Sequence, residues 1–275
     1  MKTAVTFGRI AWLSDIHLDF LNADRRKTFF ASIVRCGAEG VVISGDISNA
    51  RFLGQHLVEM ADATGLPVWF TLGNHDYYTS TVGQVRQMIS ELVSRYPLLH
   101  WLPAEGVVAL REDVALVGVD SWADGRAGSY WESTLELSDH RLIGDLIALD
   151  AVDRLKVMQR YADEAEAHLR GSLDAALRQF KTVLIASHVP MFYEACRDPM
   201  GGFSDERWLP YFAWHQGGMA IGDILRTHLE GRIIALCGHT HTRIRLKIDE
   251  RTSIWVATAE YDDPAIEDVL DLDKL

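Results

Sequence analysis

Ile10-Ala11-Trp12-Leu13-Ser14-Asp15-Ile16-His17 is an apolar run that ends in an acid and an imidazole, and the chain repeats this pattern. Val41-Val42-Ile43-Ser44 runs into Gly45-Asp46. Residues 68–72 run into Gly73-Asn74-His75-Asp76, residues 183–187 into His188, and residues 233–237 into Gly238-His239-Thr240-His241. Short, continuous, β-branched runs are the mark of strands buried on both faces. Residues 114–119 and 254–257 supply two more. Helical spacing fills the intervals at 26–36, 52–64, 82–96, 157–180 and 219–229. Strand alternating with helix argues an α/β sheet. From Arg232 onward the short runs 233–237, 242–248 and 253–257 stand close together, which predicts an antiparallel portion and a mixed sheet system.

Working outward, the 275 residues are 48% hydrophobic and 24% charged, enough apolar material for a substantial core. Lacking an internal repeat, a low-complexity segment or a Pro/Gly/Ser-rich linker, the chain reads as one domain over 1–275. Two stretches fit the core pattern poorly and are expected to be cap insertions over one face: 121–150, and 189–218 with its crowd of Phe, Tyr and Trp. The tail 260–275 carries seven acidic residues against the single Lys274 and is expected to be a solvated surface segment. A net charge of -12 disfavours a long nucleic acid or an anionic membrane as partner. Cys36, Cys196 and Cys237 are widely spaced, which suits neither a disulfide framework nor a cysteine metal cluster. With no long apolar run near the start or elsewhere, the expected location is cytoplasmic.

The chemistry collects where the strands end. In open α/β sheets ligands bind at the carboxyl ends of strands, so the five motifs are expected to meet in one crevice. Asp15, His17, Asp46, Asn74, His188, His239 and His241 offer carboxylate, amide oxygen and imidazole, a mixture suited to Mn, Fe, Co, Ni or Zn. On extended backbone, residues at i and i+2 share a face, so Asp15 with His17, and His239 with His241, can address one locality. Seven ligands are too many for one zinc. Two ions sharing a carboxylate would use them all.

These blocks, in this order, resemble those of the calcineurin-like metallophosphoesterase superfamily, over the span from Asp15 to His241. A prespecified tetrapeptide such as Gly-Asn-His-Asp or Gly-His-Thr-His arises in such a chain with probability on the order of 10⁻³. The resemblance implies two packed mixed β-sheets flanked by helices. It also implies a dinuclear centre in which Asp15, His17, Asp46 and His241 hold one ion and Asp46, Asn74, His188 and His239 the other, with Asp46 bridging. The implied reaction is hydrolysis of a small phosphodiester or phosphomonoester, a nucleotide derivative among the candidates, by a hydroxide bridging the two metals. In this reading His75 assists the leaving oxygen as general acid or charge stabiliser, and Asp76 orients His75. Asn49 stands where purple acid phosphatases have a tyrosine. Asp76, and Ile47-Ser48-Asn49-Ala50-Arg51 after the second block, differ from the protein Ser/Thr phosphatase pattern. The chain sits closer to the small bacterial-type phosphodiesterases and phosphatases.

Substrate contacts are sought in the insertions, at Arg126, Tyr193, Arg197, Trp208 and Trp214. The same aromatics suit a ring-stacking cap, an oligomer interface or a local core. Two other readings stand beside the hydrolase: a non-catalytic interaction module on the same fold, and a nuclease of the same superfamily. The complete ligand set opposes the first; the negative charge opposes the second.

Overall fold

Every apolar run that ends in a candidate ligand becomes a strand with its carboxyl end at one edge of the molecule. The computed structural model describes residues 6–196 and 205–275. Within them the strands are β1 (Arg9–Leu13), β2 (Gly40–Ser44), β3 (Val68–Thr71), β4 (Leu99–Trp101), β5 (Val108–Ala109), β6 (Val114–Val119), β7 (Thr182–Ser187), β8 (Arg232–Cys237), β9 (Ile244–Lys247), β10 (Thr252–Val256) and β11 (Asp268–Asp271). They form two mixed sheets, ordered β11-β1-β2-β3-β4 and β5-β6-β7-β8-β10-β9. The helices are α1 (Ala23–Arg35), α2 (Leu53–Thr64), α3 (Val82–Val93), α4 (Leu102–Glu105), α5 (Asp139–Leu142), α6 (Ala151–Leu177), α7 (Leu209–Phe212) and α8 (His215–Leu225).

The strand period of two sorts the side chains into layers. Ile10, Trp12, Val42 and Trp69 of the first sheet meet Leu116, Leu184, Ala186, Ile234 and Leu236 of the second in a core between the sheets. Their neighbours Leu13, Val41, Ile43, Phe70, Val183, Ile185 and Ile233 join the larger core packed by the helices. Because both faces of each sheet are covered, the strands read as unbroken apolar runs. Each large side chain fully buried here contributes about 1.5–3 kcal/mol. Trp12 keeps its one polar atom satisfied, Nε1 donating to Ser44 Oγ at 3.0 Å.

One expectation is corrected. The tail is not simply solvated. β11 pairs antiparallel with β1, and Leu270 and Leu272 are buried in the core between the sheets. An otherwise open edge of β1 gains a partner, and the alternation around Leu270 and Leu272 puts two leucines on its inner face while the acids stay out. After Arg232 the expected antiparallel portion is the pair β9–β10, while β10 pairs parallel with β8, which makes the sheet mixed. The connection from β8 passes outward through β9 before the chain returns. The segments 121–150 and 189–218 follow β6 and β7 and contain α5, α7 and the start of α8. No described helix is long and apolar enough to cross a membrane.

Candidate metal centre

Backbone pairing continues past the strand ends and sets the candidate ligands side by side. Asp15 N–H donates to Gly45 O at 3.0 Å, His17 N–H to Asp46 O at 3.1 Å, and Gly238 N–H to His188 O at 2.9 Å. The backbone there is not extended, contrary to the i, i+2 expectation. Asp15, His17, Asp46, His239 and His241 all have positive φ, between 38° and 72°. Among the described residues only Thr79 and Ala148 share that state without being glycine. A left-handed residue costs about 1–2 kcal/mol. Five in one spot are tolerated only because the surrounding structure holds them, a pattern typical of functional sites.

The ligand atoms gather in two overlapping groups. Asp15, His17, Asp46 and His241 each place one atom within 4.8 Å of the others, and all but His241 are buried. His241 Nε2 lies 3.2 Å from Asp15 Oδ1 and 3.4 Å from His17 Nε2. In the second group His188 Nε2 stands 3.3 Å from Asp46 Oδ2, 3.1 Å from Asn74 Oδ1 and 3.3 Å from His239 Nδ1. Asn74 Oδ1 is also 3.0 Å from His239 Nδ1. Asp46 belongs to both.

Whether these residues fit metal turns on which ring nitrogens carry protons. His188 Nδ1 donates to Ser44 O at 3.0 Å and His239 Nε2 to Tyr211 O at 2.9 Å. Those bonds to carbonyls, which only accept, leave the inward nitrogens of the neutral rings as bare lone pairs. Lone pairs facing one another and an amide oxygen at about 3 Å repel unless a cation or a proton lies among them, so the donor set fits a divalent ion. His17 Nδ1 is buried without a hydrogen-bond partner, so its tautomer is not fixed in this way.

Charge follows the same logic. Burial, the largest single influence, would raise Asp15 and Asp46, but it is outweighed by the neighbouring histidines together, His188 and His241 at Asp15 and His188, His75 and His17 at Asp46, and both carboxyls sit well below the usual carboxylate range. Burial opposes a proton on His188, yet Asp46 and Asp15 pull it up to about 10; His241 rises against burial through its bond to Asp15. His17 falls to about 4, chiefly through burial, and His239 falls through burial and then through the charge of His188. Divalent cations compete for the same lone pairs as these protons, so their affinity weakens as the pH is lowered.

Two glycines of the motifs make this packing possible. A Cβ at Gly238 would overlap the Asp15 carboxylate and the Ser14 hydroxyl, and one at Gly73 would overlap the Asp46 carboxylate. His75 donates its backbone N–H to Asp46 Oδ1 at 2.9 Å, and its ring packs 4.6 Å from His17 and 4.2 Å from Tyr78. Its Nε2 is 3.9 Å from Asp46 Oδ2. Asp76 is a correction: its carboxylate accepts from the backbone N–H groups of Ile47, Ser48 and Gly73, each at 2.9 Å, rather than orienting His75. Curled under its own turn, it ties the loop bearing Asp46 to the loop bearing Asn74.

A cleft of about 220 Å³ opens over the site, with Leu137, Asp139, Phe212 and Tyr261 in its walls. Sequence reasoning missed what one wall residue does: Asp139 Oδ1 accepts from Asn74 Nδ2 at 2.9 Å and from Tyr78 OH at 2.7 Å, which turns the Asn74 oxygen inward. Adjacency to the third block was the one available signal for Tyr78; Asp139 and Tyr261 had none. The expected substrate contacts lie elsewhere. Arg126 is engaged by Asp163 at 2.8 Å and Asp124 at 3.8 Å. Trp214 is fully buried in the helix-side core, where ring burial outweighs display to solvent. Tyr193 is exposed but packs near β9 and β10, outside the cleft. Trp208 reaches the site only through Phe212, whose ring lies 5.1 Å from it and 5.5 Å from His239. Arg197 lies outside the described residues.

The sequence model of the calcineurin-like phosphoesterase family matches residues 8–243. No curated protein matches the chain by sequence comparison. Among solved structures the chain is similar to a dimetal phosphatase from Danio rerio, at 16% identity over 92% of this chain and 87% of that one, TM-score 0.55. It is similar to phosphopantetheinyl hydrolase from Mycobacterium tuberculosis, at 12% identity over 94% and 90%, TM-score 0.62. A third is TT1561 of Thermus thermophilus, at 14% identity over 98% and 96%, TM-score 0.56. At such identities the likeness is one of fold.

Proposed function

Because the chain belongs to the calcineurin-like phosphoesterase family, we propose that its cleft hydrolyses a small phosphodiester or phosphomonoester, nucleotide derivatives included, at a pair of divalent transition-metal ions. The observation that carries this reading is the sharing of Asp46 between two groups of converging lone pairs. Asp15, His17, Asp46 and His241 would hold one ion, and Asp46, Asn74, His188 and His239 the other. When bound, such a pair neutralises charge on phosphoryl oxygens and lowers the pKa of a water.

The chain's own residues supply the rest. Asp46 brings negative charge to both ions, and its Oδ1 is steadied by the His75 amide. His75 is the group that gives a proton or positive charge to the departing oxygen. Its ring is kept at the cleft by Tyr78 and His17 while the side chain stays partly open to solvent. Asp139 and Tyr78 hold the Asn74 amide, and Asp76 locks the two loops together. Phe212 and Tyr261 line the cleft above the ligands.

The test is metal analysis joined to an activity panel. Protein reconstituted with Mn(II) should approach two equivalents and turn over at least one class among mono-, di- and cyclic phosphoesters. Asp46→Asn should weaken both equivalents, because the shared charge is lost. Stoichiometry at or below one after reconstitution would reject the shared-carboxylate centre, and no turnover across the panel would reject the hydrolase.

A further inference from the structure

Two large aromatic side chains stand in solvent beside the metal centre. Tyr261 is 44% exposed and Phe20 53% exposed, and their ring centroids are 5.1 Å apart. Tyr261 packs on the ligand side, 4.7 Å from His17, 5.2 Å from His241 and 5.9 Å from His75, and borders the cleft. Leaving two contiguous rings wet is unfavourable unless something covers them.

The segment that carries Tyr261 is also held in place from two sides. Arg25 of α1 bonds the carbonyl of Asp262 and lies 3.7 Å from its carboxylate and 3.8 Å from that of Asp263. Thr258 Oγ1 donates to His241 O at 3.2 Å, and Asp263 N–H closes a turn onto Glu260 O at 3.1 Å. A surface already ordered loses little entropy when a ligand arrives. An alkyl ester at the metals would leave both rings in water; the rings are tilted 43° to each other, so a flat ring laid face-on over Tyr261 would meet Phe20 along its edge.

Resting on the phosphoester reading above, we propose that Tyr261 and Phe20 form a stacking platform for a planar aromatic group of the substrate, a nucleobase or an aryl ester. The substrate class is then a phosphoester bearing such a ring within one ring's reach of the phosphorus. The aromatic wall is expected from the insertions; this pair comes instead from the tail and from the loop after the first block.

The test uses Mn-loaded protein of measured metal content and two probes that share a phosphoryl head, phenylphosphonate and methylphosphonate, titrated calorimetrically. Wild type should bind the phenyl compound about tenfold tighter, the scale of an aromatic contact plus the face it buries. Tyr261→Ala should bring that ratio to about twofold or less with methylphosphonate affinity kept. Tyr261→Phe should preserve the ratio, and Phe20→Ala should reduce it in part. No phenyl preference in wild type, or an unchanged ratio in Tyr261→Ala, overturns the platform. Equal weakening of both probes together with metal loss also overturns it, since Tyr261 would then serve only as a cover for His17. Failure of both probes to bind the two-metal wild type would instead reject the phosphoester reading, and the platform with it.

Discussion

Replacing Asp139 by Ala should cripple one of the two metal positions and spare the other. Asn74 has two amide orientations, and only the one with Oδ1 inward puts a lone pair beside His188 Nε2 and His239 Nδ1. That orientation is held by Nδ2 donating to the Asp139 carboxylate at 2.9 Å, with Tyr78 OH bonded to the same oxygen. A hydrogen bond to a charged group is worth about 1.5–3 kcal/mol, so losing it shifts the inward population by about 10- to 100-fold. The same range is usual when a group that orients a metal ligand is removed. Calorimetric titration of metal-free protein with Mn(II) should therefore show one equivalent weakened by that factor. The other equivalent, proposed to sit at Asp15, His17 and His241, should move by about threefold or less. Asp139→Asn keeps an acceptor oxygen and should lie much nearer wild type. If Asp139→Asn is as damaged as Asp139→Ala, charge and not orientation is at work, and if both equivalents weaken alike, the separation of the two groups is wrong.

His75→Ala should retain both metals by elemental analysis and lose about 10²–10⁴-fold in turnover on alkyl esters, with a smaller loss on nitrophenyl esters whose leaving oxygen needs no proton. Gly238→Ala should abolish binding at the Asp15 position, since the added Cβ overlaps that carboxylate; near-normal stoichiometry would show that the loop yields. His56, which bonds Ser48 Oγ at 2.9 Å on the loop after Asp46, has its pKa held to about 4 by burial and then by Arg26. Because the unfolded chain takes up that proton first, near pH 6.5, this stability is present above about pH 6.5 and is lost as pH falls toward 4. Urea denaturation of His56→Gln beside wild type should show the fall between pH 7 and 4.5 reduced by about 2 kcal/mol. Parallel curves would show that His56 does not carry it.

The strand set that bears the site was legible in the amino-acid sequence, because a strand buried on both faces must be continuously apolar and its end is marked by the first polar residue. The candidate donor types were legible there too, since the motifs Gly45-Asp46, Gly73-Asn74-His75-Asp76 and Gly238-His239-Thr240-His241 spell out carboxylate, amide and imidazole. The tertiary structure decided what those donors share. The inward lone pairs of His188 and His239 depend on the carbonyls of Ser44 and Tyr211, respectively 144 and 28 positions away. The left-handed backbone at five candidate ligands is not predictable from Asp or His alone, although both adopt it more readily than most residues, because it persists only where the surrounding structure holds it. Asp139 turns the Asn74 amide from 65 positions away. The acidic tail illustrates the limit in both directions: its charge reads as solvated, yet Leu270 fills the space beside β1 and Tyr261 rests on His17. Trp214 shows the converse, an aromatic in a plausible wall that packing takes into the core. Periodicity reports which face of an element is buried; which distant side chain meets that face is settled only when the sheets close on each other.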